Sequence, residues 1–180
     1  MRPDLVIDTN VLVHASNPGE SRQQECIDLI NYLLESSEQI CLDEGFDFSE
    51  NLNKSHIGYE YIKHLKHGML GHVLIVSMAQ SKRVVEVSKT VPAGIAGKIN
   101  QSIVNKHDRV FIKVALNSES RILISNDFTD FSKSKRKHIR KEIGVQVVVP
   151  NEYDKIVPER PEEMEDLEGR RGGWRGAGNA

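Results

Sequence analysis

Apolar residues come in short blocks along this chain, and each block stops sharply. Leu5-Val6-Ile7 ends at Asp8-Thr9-Asn10, and the apolar character resumes at once with Val11-Leu12-Val13. A run this short, bounded by an acid and two small hydrogen-bonding residues, predicts a buried strand of a parallel sheet that feeds a helix. Asp8 then lies at the carboxyl end of the first strand, where open α/β sheets form their ligand crevice. Asp, Thr and Asn are also good helix caps, so a purely structural role fits the same residues. Pro18-Gly19 breaks the chain, and Ser21 to Gln24 has the form of a capping box. Cys26, Ile27, Ile30, Leu33 and Leu34 recur at helical spacing and predict a helix over 21–36. Gln39-Ile40-Cys41-Leu42 reads as a second strand, with Asp43 and Glu44 at its end.

Residues 46–54 are polar and without period. A helix is predicted over 56–65, with Ile57, Tyr61 and Leu65 on its packing face and Glu60 beside that stripe, directed along the sheet edge. Residues 70–80 form a largely apolar helical segment, and 83–87 alternate like a short strand. The stretch 91–97, with Pro92, Gly94 and Gly97, reads as a loop. A helix is expected over 102–118, with Val104, Asp108, Phe111 and Ala115 along one stripe. An acid on the apolar side of a helix is costly unless a base or a cation neutralises it. The adjacent Arg109 cannot serve, because neighbours on a helix point in different directions. Arg121 to Ile124 is a further strand running into Ser125-Asn126-Asp127-Phe128-Thr129-Asp130-Phe131, with the two phenylalanines available to anchor the loop. A strongly basic helix over 133–142 and a last strand over 144–149 complete the series. Such alternation predicts a three-layer α/β/α sandwich around a central parallel sheet.

Charge and composition narrow the setting. The 180 residues carry 24 Lys and Arg against 26 Asp and Glu, a formal charge of −2. The molecule as a whole is therefore no polycation, although a local basic patch remains available to nucleic acid. Cys26 and Cys41 stand in no redox or metal-ligating motif, so a reduced, cytoplasmic protein is expected. No stretch suits a membrane span, and the first strand begins too early to leave room for a signal peptide. His64, His67 and His72 have a spacing a zinc site could use, but no cysteine or fourth ligand accompanies them. Residues 1–157 are read as one domain. From 158 onward the chain is acidic and then rich in Arg and Gly, which predicts a disordered tail whose Arg-Gly-Trp portion could touch single-stranded RNA.

Asp8-Thr9-Asn10 after a buried strand, Glu60 within Tyr59-Glu60-Tyr61, Asp108 within His107-Asp108-Arg109, and the run from Ser125 to Phe131 resemble, in this order, the acidic signatures of PIN-domain ribonucleases, the family that includes the VapC-type toxins. The resemblance covers about residues 4–150, and its first and last motifs are the most specific. It implies a PIN-like fold and an Mg²⁺- or Mn²⁺-dependent endoribonuclease whose metal ligands are drawn from Asp8, Glu60, Asp108, Asp127 and Asp130. Asp8, Glu60, Asp108 and Asp127 would be catalytic, and Asp130 either replaces Asp127 as ligand or supports it. Asn10 would orient Asp8, while Thr9 and Ser125 contact phosphate or water. Hard carboxylate donors suit Mg²⁺ or Mn²⁺ better than Zn²⁺, and such ions can activate water and stabilise the leaving oxygen of a phosphodiester. Lys133, Lys135, Arg136 and Arg140 are placed to track the RNA backbone or, equally, to form a solvated helix face. A family member of the toxin kind would be dimeric and held silent by a cognate antitoxin protein. The alternative is a catalytically degenerate PIN-like module that binds RNA or a protein partner. A phosphatase-like hydrolase with Asp8 as nucleophile fits less well, because Asn10 stands where such chemistry places its second aspartate.

Overall fold

A computed structural model describes residues 3–156. The predicted tail over 158–180 lies outside the described residues. Five short strands, β1 (Asp4–Ile7), β2 (Gln39–Asp43), β3 (Val84–Val87), β4 (Ile122–Ile124) and β5 (Gln146–Val148), form one sheet in the order β3-β2-β1-β4-β5. Every pairing is parallel. Leu5, Val6 and Ile7 are wholly buried, as the unbroken apolar run requires of a central strand covered on both sides. The fold is thus the α/β sandwich that the block pattern predicts.

The helices are α1 (Thr9–His14), α2 (Gln23–Glu35), α3 (His56–His64), α4 (Leu70–Gln80), α5 (Ala93–Ser102), α6 (Lys106–Asn117) and α7 (Lys133–Glu142), and Pro150–Lys155 closes as a 3-10 turn. From β1 the chain steps outward to β2 and β3, then returns across β1 to β4 and β5. Because parallel crossovers are right-handed, reversing direction moves the connecting helices to the opposite face. Accordingly α1, α2 and α4 pack on one another, while α5 packs on α6 and α7, and α6 lies across β1, β2 and β4. The reversal leaves a crevice between the carboxyl ends of β1 and β4, the topological switch point of the sheet.

Three local expectations need correction. Ser21 caps nothing: α2 begins at Gln23 after Arg22, without a side-chain cap, and the Ser21 hydroxyl donates to Glu20 instead. The stretch read as a loop over 91–97 contains the start of α5, which Pro92 initiates and only Ile99 anchors by full burial. The next helix starts at Lys106 and not at Ser102. Ile103 at the end of α5 is extended, Asn105 caps α6, and Val104 is 75% exposed, so it does not share the buried stripe of Asp108, Phe111 and Ala115. No helix among the described residues is long and apolar enough to cross a membrane.

Candidate metal centre

Asp8 leaves β1 with an extended backbone and caps α1. Its carboxylate is held from three directions. The Asn10 amide side chain donates to Oδ2 at 2.9 Å, the Asn10 backbone N–H to Oδ1 at 3.3 Å, and the Ser125 hydroxyl to Oδ2 at 2.6 Å. Asn10 also accepts from the Asn126 N–H at 3.2 Å, which ties the end of β1 to the loop after β4. Below it the buried Tyr61 hydroxyl donates to the Ile7 carbonyl at 2.5 Å. Burial pushes the Asp8 carboxyl up to about 6 even against these donors, and the charge on Asp127 adds to the shift.

Asp127 follows Ser125, whose hydroxyl accepts from the Asp127 N–H at 3.0 Å while donating to Asp8. One hydroxyl therefore fixes the two acids relative to each other. The Asp127 carboxylate accepts from the backbone N–H groups of Thr129 at 2.7 Å and Asp130 at 3.2 Å, which turns the chain tightly. Phe131 buries beneath this turn, whereas Phe128 stays 44% exposed with the Arg22 guanidinium 4.5 Å above its ring.

Asp108 comes from the first turn of α6 and is buried. Its Oδ2 has no hydrogen-bond partner. Burial, then the charges of Asp8, Asp127 and Asp130, and a carboxyl–carboxyl hydrogen bond with Asp127 push this carboxyl up to about 8. Among the described residues no Lys or Arg forms an ion pair with Asp8, Asp108 or Asp127. Of the two outcomes open to an acid on an apolar helix face, a base or a cation, the base is thus not present. Carboxylate oxygens of Asp108, Asp127 and Asp130 lie within 4.8 Å of one another. A group of hard oxygen donors, buried at Asp108 and Asp130 and half-buried at Asp127, with an orphaned oxygen suits a divalent cation of the Mg²⁺ or Mn²⁺ type.

Two other acids are differently employed. Asp130 accepts from the N–H groups of Asn105 at 2.8 Å and Val104 at 3.3 Å, and Lys135 Nζ lies at 3.4 Å. Burial raises its carboxyl, but these contacts outweigh it and hold the group below the usual carboxylate range. Asp130 therefore anchors the start of α6 as well as bordering the site. Glu60 faces histidines instead of the aspartates: its carboxylate lies 3.4 Å from His64 and 3.6 Å from His107. Asp43, at the end of β2, is wholly buried and accepts from Ser55, His56 and Ile57 at the start of α3, with Lys89 at 2.6 Å. The Thr9 hydroxyl is buried without a hydrogen-bond partner.

The basic helix occupies the predicted span, yet its four named residues separate into two kinds. Lys135 is spent on Thr129 and Asp130, and Arg136 on Glu152 at 2.8 Å. Lys133 and Arg140 are exposed and, with Lys137 and Lys155, line a groove between α7 and the edge strand β5. Lys155 comes from a turn that carried no periodic signal, so the sequence did not bring it to this groove. The chain matches no protein-family model and no curated protein.

Proposed function

We propose that this chain is a metal-dependent ribonuclease of the PIN-domain kind that hydrolyses RNA phosphodiesters at the site formed by Asp8, Asp108 and Asp127. The observation that carries this reading is Asp108: a buried carboxylate with an orphaned oxygen, among other acids and without an ion-pair partner of its own. Asp108, Asp127 and Asp130, whose oxygens lie within 4.8 Å of one another, would hold Mg²⁺ or Mn²⁺, with Asp8, linked to Asp127 through Ser125, as a further ligand. Such a cation lowers the pKa of a water and stabilises the charge on a leaving phosphodiester oxygen.

The remaining work falls to the protein. Asn10 and Ser125 orient Asp8, and the same Ser125 hydroxyl sets Asp127 in register with it. The tight turn after Asp127 keeps that carboxylate on the crevice, so the ligand set is largely in place before a cation arrives. Lys133, Lys137 and Arg140 offer positive charge to an RNA backbone entering along α7. Lys135 neutralises Asp130 and so limits the excess negative charge that would repel a phosphate.

Incubation of the full chain with a mixed-sequence single-stranded RNA and Mn²⁺ tests the reading. Cleavage is expected, with a loss of about 100-fold or more in Asp108→Asn. Cleavage that persists in excess chelator would overturn it. Binding of RNA and metal without cleavage would point to the degenerate module.

A further inference from the structure

His56 opens α3, Glu60 follows one turn later on the same helix, and His107 approaches from the first turn of α6. His107 Nδ1 lies 3.1 Å from His56 Nε2 and 3.6 Å from a Glu60 oxygen. Ligand atoms of the three residues all lie within 4.8 Å of one another. We propose that His56, Glu60 and His107 form a second metal site, distinct from the aspartate site and selective for Zn²⁺ or a related borderline transition ion.

The geometry argues for it directly. Tetrahedral Zn²⁺ with bonds of 2.0–2.1 Å places its ligand atoms about 3.3 Å apart. Two edges of the triangle, 3.1 and 3.6 Å, bracket that separation, and the third is within 4.8 Å. Two imidazoles and one carboxylate form a donor set for Zn²⁺, where the neighbouring all-carboxylate set suits Mg²⁺ or Mn²⁺. Three protein ligands at a partly exposed position leave a fourth place for water or a ligand atom. His64 Nε2 lies 3.4 Å from the second Glu60 oxygen and is placed to orient that carboxylate.

Both histidines sit on helix starts that are pinned from behind. The N–H of His56 is held by Asp43 at 2.8 Å, and Asp43 also secures Ser55 and Ile57. The N–H of His107 is held by Asn105 at 3.0 Å, and the Asn105 N–H by Asp130 at 2.8 Å. Asp43, at the end of β2, and Asp130, in the loop after β4, thus fix the backbone that carries the imidazoles. Glu60, assigned by resemblance to the acidic set, becomes the shared carboxylate of the histidine site. The site stands whether or not the aspartates act on RNA.

The test uses the tag-free full chain, stripped with chelator and then titrated with Zn²⁺ against a chromophoric chelator in excess Mg²⁺. One equivalent of Zn²⁺ should bind, and Co²⁺ should give the visible absorption of a tetrahedral nitrogen-containing site. The double variant His56→Gln/His107→Gln should lose about 100-fold or more in Zn²⁺ affinity, and Glu60→Gln about 10-fold. Asp108→Asn should retain the affinity of the wild type. Circular dichroism should show each variant folded, since the side chain of His107 is 61% exposed and the changes at His56, Glu60 and Asp108 keep side-chain size. Failure of the folded wild type to bind Zn²⁺, unchanged affinity in the double variant, or loss in Asp108→Asn instead would each overturn the proposal. The RNA-cleavage assay of Asp108→Asn reads the aspartate site separately.

Discussion

At the scale of single residues the unusual feature is a carboxyl group that the fold makes reluctant to ionise. Asp108 has an ordinary value of 3.8 and is pushed up to about 8, first by burial and then by the charges of Asp8, Asp127 and Asp130. With its folded pKa above its unfolded one, Asp108 binds a proton in the folded chain that the unfolded chain releases. Stability from this group is therefore present at low pH and declines as pH rises between those two values. Asp8, raised to about 6, acts in the same direction over the lower part of the window. In the presence of chelator, Asp108→Asn removes the ionisation, so the melting temperature of the variant minus that of the wild type should grow between about pH 5 and about pH 8.5. A difference that is flat or shrinks over this interval would mean that the carboxyl is neutralised in another way. The opposite contributions of Asp43 and Asp130, whose values are depressed, titrate at or below the ordinary carboxylate range and so fall outside this interval. Ser125→Ala tests the link between acids: losing two hydrogen bonds, one to a carboxylate, should cost about 2–3 kcal/mol in urea denaturation.

At the scale of elements, what could be read from the chain depended on how far each element is held by its own residues. Strand β1 and helix α4 could be placed because their apolar character, and helix α7 because its basic character, runs to their ends. Helix α5 could not, since Gly94 and Gly97 carry no side chain to show a period and one buried isoleucine gives no stripe. The start of α6 was hidden for a different reason. Asn105 caps it locally, a signal within the sequence, but the Asn105 N–H is held by Asp130 across 25 residues of chain, and no local pattern reports such a partner. The proximity of the acids that follow β1 and β4 was legible because the topology of a parallel sheet brings strand ends together. The employment of Asp43, Asp130 and Glu60 was not, because helix anchors and metal ligands use the same residue type. The glycines separate the two kinds of helix by experiment. A Cβ at Gly71 would stand 2.8 Å from Leu12 Cβ and from the Leu12 carbonyl oxygen, where α4 crosses α1. Gly71→Ala should thus destabilise by about 1–3 kcal/mol. Gly94 and Gly97 face open space, and Ala at either should stabilise by about 0.4–1 kcal/mol. The same thermal melts check all three, and a stable Gly71→Ala would show that α4 and α1 are less closely seated.

At the scale of the whole molecule, the proposed ribonuclease activity requires an anionic crevice to receive an anionic polymer. The formal charge of −2 gives no general attraction, so the attraction has to be local. Helix α7 begins directly after the site loop, and Lys135 reaches back to Thr129 and Asp130 within it. The exposed Lys133, Lys137 and Arg140 continue that positive charge away from the acids and along the β5 edge. A strand of RNA held on this line would have one phosphate near the carboxylates and its neighbours on the helix. Replacing Lys135 or Arg136 would confuse binding with folding, since each is committed to an acid of the protein itself. The informative variant is Lys133→Ala/Lys137→Ala/Arg140→Ala, which removes only exposed charge. If the three contact phosphates, the slope of log affinity against log salt for single-stranded RNA should fall in magnitude by about 2, at roughly 0.7 per contact. The melting temperature should stay within about 2 °C of the wild type, because exposed charges contribute little to stability. An unchanged slope would assign α7 to the solvated surface and require RNA to approach from the other side of the crevice, past Arg22 and Phe128, where a guanidinium already lies over an exposed ring.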